Sequence, residues 1–296
     1  MAQPAFHIRF NTFSANAAVV IAETRGLFAG AGLEVETVIT RSSTEQMRGL
    51  SQGKFDVVST AFDNVLAWSG REGADILAVS QASERIYLPI YVRPEIQDWK
   101  DLRGRVLAVD AVDTAYALVL RRILLAHDLD FSRGDYEFDG VGATGPRLEA
   151  MKSGAAFAGI LNPPWDKKAE EAGMRRFADY REVLPDYPGG VFAVTMTWSD
   201  VHSAELVAFL KCLIQATHWG NDPVNEKEAI KLLGDAHGID EEGSKKELAQ
   251  LPKQEGLNLK GLQVVLDLRV QFDMTPIKGP GLSSYYDLRH YEAAKG

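Results

Sequence analysis

The chain has 296 residues, of which 46% are hydrophobic and 25% are charged, which is an ordinary globular composition long enough for two compact units of roughly 100–200 residues each. The formal net charge is -9 at pH 7, and this acidic balance argues against a nucleic-acid-binding protein, which usually presents a basic surface. The single cysteine excludes a disulfide within the chain and a metal site built on a cysteine pair.

The N-terminal part of the chain alternates between short apolar runs and amphipathic helical patterns. It predicts strands at 6–10, 34–39, 56–59 and 75–79, with helices at 17–28, 44–50 and 65–71. Gly30 and Gly32 follow the first helix, as expected where a helix ends. This strand–helix alternation predicts a mainly parallel sheet with helices on both faces.

The same order begins again at residue 105. Strands are predicted at 105–109, 136–141, 156–161 and 175–178, with helices at 114–127, 146–152 and 165–172. Gly53 and Gly154 each stand between the end of a helix and the start of a buried strand. The repetition predicts two α/β units of related topology.

Two extended segments, 86–93 and 191–198, flank the second unit and predict two crossings between lobes, an arrangement that permits hinge closure. We therefore predict lobe 1 at 1–88 plus 196–296 and lobe 2 at 89–195. The remaining helical patterns lie at 203–219, 223–233, 241–250 and 259–272, and we expect this tail to pack on lobe 1 because it brings no strand of its own. Cys212 lies in the first of these helices and is predicted to be an unreactive structural thiol.

Four motifs occur in order along the first two thirds of the chain: GLFAGAGLEV at 26–35, LSQGKFDVV at 50–58, GADILAV at 73–79 and DLRGRVLAV at 101–109. Together they resemble the type II periplasmic binding proteins of ABC importers, in the branch that binds sulfonates, taurine, nitrate and thiamine-precursor pyrimidines. The resemblance implies a two-lobed α/β fold, each lobe a mainly parallel sheet flanked by helices, with two crossover strands as the hinge. It also implies capture of a small organic ligand by closure of the lobes, followed by delivery to a membrane permease.

Proteins of that branch are normally exported. The first residues, 1–5, show neither the basic nor the apolar region of a signal peptide. We therefore predict a periplasmic location if an export signal has been removed, and a cytoplasmic location otherwise.

In open parallel sheets, ligands bind beyond the carboxyl ends of the strands, close to helix N-termini. The loops at these positions are rich in hydroxyl, amide and aromatic groups. Phe13, Phe62 and Trp165 are candidates for flat walls around a planar ligand, whereas the hydroxyls can either touch the ligand or cap helices. The predicted ligand-binding residues are Asn11, Phe13, Ser14, Ser42, Ser43, Phe62, Asp63, Asn64, Asp113, Thr114, Thr144, Asn162 and Trp165.

The two acidic residues in this set bear on the charge of the ligand. A carboxylate from Asp63 or Asp113 would suit an amine, whereas a sulfonate or phosphate would require a cation such as Arg41 to lie between. Either aspartate can instead complement the positive end of a helix dipole. Together, the aromatic residues and the two aspartates predict a planar, aromatic or amine-bearing small molecule.

No catalytic residue, cofactor or metal site is predicted. The six histidines show no HExxH spacing, and the chain has neither a GxSxG elbow nor a phosphate-binding Walker loop. One alternative is an enzyme on the same fold, a decarboxylase, dehydratase or lyase acting on a small aromatic acid, with Asp63 or Asp113 as its base. Another is the ligand-sensing domain of a receptor or regulator. The predicted partners are a small-molecule ligand and, for a transport protein, the permease; no nucleic acid is expected.

Overall fold

The computed structural model describes residues 5–40 and 42–296, and these form two compact units. The first unit contains the chain up to Ile86, then Pro188–Gln263 and Pro276–Gly296. The second unit contains Tyr87–Tyr187 and Val264–Thr275. Each unit is built on its own five-stranded sheet.

In the described ranges the strands are β1 (Phe6–Thr12), β2 (Leu33–Ile39), β3 (Val57–Thr60), β4 (Ile76–Gln81), β5 (Pro89–Val92), β6 (Val106–Val109), β7 (Glu137–Gly140), β8 (Ala158–Ile160), β9 (Arg175–Asp179) and β10 (Val191–Thr195). The α-helices there are α1 (Ala17–Thr24), α2 (Leu27–Gly30), α3 (Ser43–Ser51), α4 (Phe62–Trp68), α5 (Ala115–Ala126), α6 (Thr144–Ser153), α7 (Trp165–Glu171), α8 (Met196–Val201), α9 (Ser203–Asn221), α10 (Glu226–His237), α11 (Glu241–Leu248), α12 (Leu259–Gln271) and α13 (Arg289–Lys295). Within the same ranges, none of these helices has the length and apolar content needed to cross a membrane.

The sheet of the first unit has the order β2-β1-β3-β10-β4. Strand β1 pairs in parallel with β2, from Phe6 opposite Leu33 to Thr12 opposite Ile39, and also in parallel with β3. Strand β10 runs antiparallel between β3 and β4. The carboxyl ends of β1, β2 and β3 therefore lie at one edge of the sheet.

The sheet of the second unit repeats this plan, with the order β7-β6-β8-β5-β9. Strand β6 pairs in parallel with β7 and β8, and β5 runs antiparallel between β8 and β9. Two mainly parallel sheets flanked by helices confirm the predicted fold class and the related topology of the two units. In each sheet the antiparallel strand comes from one of the two extended segments predicted to connect the lobes.

At the second crossing, the chain rejoins the first unit earlier than the predicted lobe boundary. We assigned residues up to 195 to lobe 2, but β10 completes the sheet of the first unit, which the chain rejoins at Pro188. The helical tail also does not belong wholly to the first unit, because residues 264–275 belong to the second. There, the Arg269 guanidinium donates to the Asp113 carbonyl at 3.1 Å. Amphipathic periodicity shows that a helix is buried on one side but not which sheet covers it.

Two predicted elements are divided in the structure. The predicted helix at 17–28 is two helices, because Gly26 adopts a left-handed conformation with φ of 70° that ends the first helical run. The predicted strand at 191–198 is β10 followed by α8, whose first turn is capped by the Thr195 hydroxyl accepting from the Trp198 backbone N–H. Helix α13 had no predicted counterpart.

The core of the first unit lies between its sheet and α9. The Phe209 ring is fully buried there, with its centroid 5.4 Å from that of Phe28, 6.0 Å from that of Phe192 and 6.3 Å from that of Phe10. These contacts join α9 to β1, β10 and α2, and they show that the beginning of the helical tail packs on the first unit as predicted.

We expect the thiol of Cys212 to be unreactive in the folded protein. The residue is 3% exposed, and burial raises the pKa of its thiol, so little of the nucleophilic thiolate is present near neutral pH. A thiol reagent at pH 8 should label one equivalent after denaturation and almost none before it. Rapid stoichiometric labelling of the native chain would show that the thiol is accessible.

Candidate ligand-binding site

The strand ends of the first unit are each followed by a helix N-terminus. Asn16 caps α1 by accepting from the Val19 N–H at 3.2 Å, and its amide group donates to the Ala82 carbonyl at 2.8 Å. Ser42 caps α3 by accepting from the Glu45 N–H at 3.2 Å. The capping alternative is therefore confirmed for Ser42.

Four predicted residues of the first unit keep some exposure at this edge. Phe13 is 41% exposed and Ser14 is exposed in the loop after β1, whereas Ser43 and Asn64 are half-buried. The Asn64 amide donates to the Thr60 hydroxyl at 2.8 Å. Arg41, named above as a possible intervening cation, lies outside the described residues.

Asn11 is not a loop residue. Strand β1 continues to Thr12, and Asn11 is fully buried within it. Its side-chain oxygen accepts from Gln46 Nε2 at 2.9 Å, and its amide donates to the Val38 carbonyl at 3.0 Å. Its polar groups join β1 to its neighbours, so we assign Asn11 a structural role and leave it out of the proposed contact residues.

The structure also removes Phe62 and Asp63 from the exposed loop. Helix α4 begins at Phe62 and not at Val65, and both side chains are 1% exposed. Phe62 belongs to the buried core of the unit and is left out of the proposed contact residues. Asp63 lies in the first turn of α4, where its charge complements the helix dipole, and it already interacts within the protein. Asp63 therefore gives no support to an amine-bearing ligand.

Replacing Asn11 with alanine should lower the free energy of unfolding by about 1–3 kcal/mol, because the buried amide of Gln46 loses one of its acceptors and the Val38 carbonyl loses the Asn11 amide as a donor. Ser14→Ala, in the adjacent exposed loop, should change stability by no more than about 0.5 kcal/mol. Chemical denaturation of both variants measures the difference. An Asn11→Ala protein as stable as the wild type would return Asn11 to the candidate ligand-binding residues.

In the second unit, β6, β7 and β8 end at one edge and lead into α5, α6 and α7. Thr114 caps α5, accepting from the Ala117 N–H at 3.4 Å, and its hydroxyl donates to Asp110 Oδ1 at 2.5 Å. Asp113 is exposed in the same loop. Thr144 opens α6 without capping it, since its hydroxyl accepts from Arg147 Nη2 at 2.7 Å.

Arg147 is a residue of this edge that the sequence analysis missed. It is 2% exposed, and the centre of its guanidinium lies 5.0 Å from the centroid of the Tyr116 ring. Its Nε and Nη1 are buried and have no hydrogen-bond partner among the described residues. Burial lowers the pKa of Arg147, and the charge of Asp110 opposes this effect. The chain therefore buries a guanidinium here, and two of its three nitrogens have no hydrogen-bond partner in the part of the chain that the structure describes.

Asn162 and Trp165 complete the second-unit edge. The Asn162 amide donates to the Tyr116 hydroxyl at 2.8 Å, whereas its Oδ1 is buried without a partner among the described residues. The half-buried Trp165 indole lies against the start of α6, where a Cβ on Gly145 would come within 3.0 Å of it. Glycine at 145 thus allows the indole to approach the helix N-terminus closely.

Six residues form what we call the Arg147 cluster, drawn from the ends of three parallel strands and the first turns of the helices that follow: Asp110, Thr114, Tyr116, Thr144, Arg147 and Asn162. Burial raises the pKa of the Asp110 carboxyl, although the Thr114 hydroxyl and the charge of Arg147 act in the opposite direction. Burial also raises the pKa of Tyr116. The cluster offers unpaired donors from a cation and an unpaired amide oxygen, both of which a small polar ligand can satisfy.

The helical spacing contained a signal for Arg147. It follows Thr144 by three residues, and residues three apart lie on the same side of a helix one turn further along. The predicted contact residues were drawn from the loops before each helix, which leave out Arg147. Tyr116, two residues after the cap Thr114, was missed for the same reason.

The family model described as NMT1-like matches residues 2–234. The chain belongs to the NMT1-like family. Among curated proteins, the bicarbonate transport ATP-binding protein CmpC of Synechocystis sp. is 26% identical over 237 residues, which are 73% of this chain and 35% of that protein. The chain therefore spans only 35% of the length of this relative.

Solved structures with the same fold cover nearly the whole chain. The alkanesulfonate-binding protein SsuA from Xanthomonas axonopodis pv. citri, bound to MOPS, has a TM-score of 0.75 at 18% identity, over 97% of this chain and 99% of that one. The periplasmic nitrate-binding protein NrtA from Synechocystis has a TM-score of 0.77 at 15% identity, over 100% of this chain and 90% of that one. The fold is that of the periplasmic binding proteins.

Proposed function

We propose that this chain is the solute-binding protein of an ABC importer, which captures a small organic molecule by hinge closure and delivers it to a membrane permease from the periplasm. The observation that carries the proposal is the set of unpaired buried polar atoms in the Arg147 cluster: Nε and Nη1 of Arg147 and Oδ1 of Asn162. Buried polar groups in folded proteins nearly always have partners, either from the protein or from water, and a bound ligand can supply the partners that these atoms do not find among the described residues.

Several of the predicted site residues remain suitable for ligand contact. They lie at strand ends that the fold reserves for ligands, and they keep some exposure or a polar group at that edge. In the second unit the Trp165 indole offers a flat apolar wall beside the polar cluster. The proposed contact residues are Phe13, Ser14, Ser42, Ser43, Asn64, Asp113, Thr114, Tyr116, Thr144, Arg147, Asn162 and Trp165.

The names of the relatives support an importer. CmpC is named for bicarbonate transport, SsuA for binding alkanesulfonates and NrtA for binding nitrate in the periplasm. The function, the permease partner and the periplasmic location are proposals for this chain, resting on these names together with the cluster.

An enzyme on the same scaffold is the second candidate, and one residue favours it. Asp110 is a half-buried carboxylic acid whose pKa is raised by burial, as in many general bases, and it belongs to the cluster. This residue replaces Asp63 and Asp113 as the candidate base. A binding experiment must therefore also measure turnover.

A thermal-shift screen with carboxylates, sulfonates, inorganic oxyanions, amines and pyrimidines tests the proposal. A ligand at 100 times its Kd stabilises the protein by about 2.7 kcal/mol, which corresponds to roughly 5–10 °C in Tm. Each stabilising compound is then quantified before and after incubation with the protein. A large shift with full recovery of the compound supports a binding protein, whereas loss of the compound favours the enzyme.

A further inference from the structure

We infer that Arg269, far along the chain in the helical tail, is a positioning residue that holds the loop at 110–114 of the second unit in the shape needed for ligand contact. The inference rests on the proposed function, because Asp113 and Thr114 of this loop are proposed contact residues. It gives residues 264–275 of the tail a role in binding, in addition to their packing on the second unit.

The first argument is the contact between Arg269 and the loop. Arg269 Nη2 donates to the Asp113 carbonyl at 3.1 Å, although the two residues are 156 positions apart in the chain. Arg269 is 5% exposed, whereas Asp113 is exposed. Hydrogen bonds from a charged donor are stronger than those between neutral groups. An exposed part of the loop is therefore held by a buried side chain.

The second argument is that the loop's own hydrogen bonds fix its two ends and not its middle. At one end, the Asp110 carbonyl accepts from the Gly142 N–H at 3.1 Å. At the other end, the Thr114 hydroxyl donates to Asp110 Oδ1 at 2.5 Å. Among the described residues, no backbone N–H outside the helices donates to the Asp113 carbonyl. The hydrogen bond of this carbonyl therefore comes from the Arg269 guanidinium.

The third argument is that the same stretch of the tail has a second contact, with the helix that follows the loop. The centre of the Arg121 guanidinium on α5 lies 4.2 Å from the centroid of the Phe272 ring and 4.9 Å from that of Phe131. Phe272 follows Arg269 by three residues, and its N–H donates to the Leu268 carbonyl at 3.2 Å. The two side chains therefore lie on the same side of a helical turn, and they hold both α5 and the loop before it.

The backbone of Arg269 is itself fixed by the way α12 ends. The helix runs to Gln271, and Asp273 adopts a left-handed conformation with φ of 60°. The Asp273 N–H donates to the Val270 carbonyl at 3.2 Å, and the Met274 N–H donates to the Arg269 carbonyl at 2.8 Å. These are the two hydrogen bonds of a Schellman motif. The guanidinium therefore extends from a closed helix end, which suits it to hold a loop in place.

The order of the loop has a direct consequence for binding. A ligand that meets a loop already in its bound shape loses less conformational entropy than a ligand that must first order the loop. Loss of the hydrogen bond from Arg269 should therefore weaken binding, although Arg269 acts through the loop and not through contact with the ligand.

Four full-length proteins test the inference: the wild type, Arg269→Met, Arg269→Lys and the control Arg176→Met. Methionine keeps an apolar stem without donors, whereas lysine keeps the charge and N–H donors. Arg176 is an exposed arginine of the same unit that pairs with Asp179, so its variant loses the same charge away from the loop. Hydrogen exchange followed by mass spectrometry, without ligand, reports on the backbone amides of residues 107–120.

We expect Arg269→Met to speed the exchange of residues 107–120 by about tenfold or more, while the rest of the second unit stays within about twofold of the wild type. Arg269→Lys should recover most of the protection, because it restores a charged donor. Arg176→Met should exchange like the wild type throughout the unit.

Titration calorimetry then measures whether the order of the loop serves the ligand. The probe is the compound with the largest thermal shift among nitrate, methanesulfonate, benzoate, benzylamine and cytosine. Arg269→Met should weaken its binding by about tenfold, Arg269→Lys by less than about threefold and Arg176→Met by less than about twofold.

Four results would overturn the inference. Unchanged exchange of residues 107–120 in Arg269→Met would show that the loop needs no anchor, and faster exchange throughout the second unit in both Arg269 variants would show a merely structural role. Faster exchange of the loop with unchanged affinity would show that binding does not depend on its order, and the proposed function would stand. If no probe binds the wild type, the proposed function fails and the inference fails with it, whatever the exchange shows.

Discussion

Replacing Phe209 with alanine should lower the free energy of unfolding of the first unit by about 3–5 kcal/mol. The ring is fully buried and lies among three other phenylalanine rings contributed by β1, α2 and β10. Its removal leaves a cavity whose walls belong to separate elements and cannot close without moving the sheet. Denaturant unfolding followed by circular dichroism measures the loss.

The matched control for Phe209 is Val224→Ala. Val224 is 89% exposed, so its truncation should change the free energy of unfolding by no more than about 0.5 kcal/mol. A Phe209→Ala protein that loses less than about 1 kcal/mol would contradict the packing of α9 against the first sheet.

Gly189→Ala should destabilise the first unit by about 3 kcal/mol or more, at the upper end of the range for overpacked sites. A Cβ at this position would lie 2.0 Å from the carbonyl oxygen of Ser83 and 2.7 Å from the backbone nitrogen of Arg85. These are backbone atoms, and the contact is held by Gly190, which donates to the Ser83 hydroxyl at 2.8 Å and accepts from the Ser83 N–H at 3.2 Å. Relief of the clash therefore requires breaking these bonds.

Gly30→Ala serves as the control for Gly189, because a Cβ there has nothing within 4 Å and the residue is already helical. It should leave the melting temperature unchanged or slightly raised. The Ser83–Gly190 contact joins the stretch that leaves the first unit to the stretch that returns to it, so we expect Gly189→Ala also to perturb the proposed hinge. A Gly189→Ala protein that melts within about 2 °C of the wild type would contradict this tight approach.

The fold could be predicted from the sequence to the extent that it depends on local patterns. The alternation of short apolar runs with helical periodicity predicted the parallel strands of both sheets, because the periods of 2 and 3.6 are properties of neighbouring residues. The antiparallel insertion of β5 and β10 was not predictable, since their sheet partners lie far away in the chain. The division of the tail between units depends on contacts such as Arg269 with Asp113, which no local pattern encodes.

The candidate site likewise has some features that the local sequence predicts and others that depend on the folded unit. The capping alternatives at Ser42 and Thr114 could be anticipated, because a cap is a hydrogen bond to a residue three positions further along. The burial of Asn11 and Asp63 could not, since exposure depends on what covers a side chain in the folded unit. The spacing of Arg147 from Thr144 could have placed it beside the loop, but its burial and the hydrogen bonds it lacks among the described residues depend on the folded unit.

A solute-binding protein binds its small molecule and releases it unchanged. Equilibrium dialysis of the purified chain against the most stabilising compound of the thermal screen, with mass-spectrometric quantification on both sides, tests it most directly. We predict saturation at one compound per chain, with the total amount of compound constant over a long incubation. A falling total accompanied by a new product would contradict the claim and identify the chain as an enzyme built on a binding-protein fold.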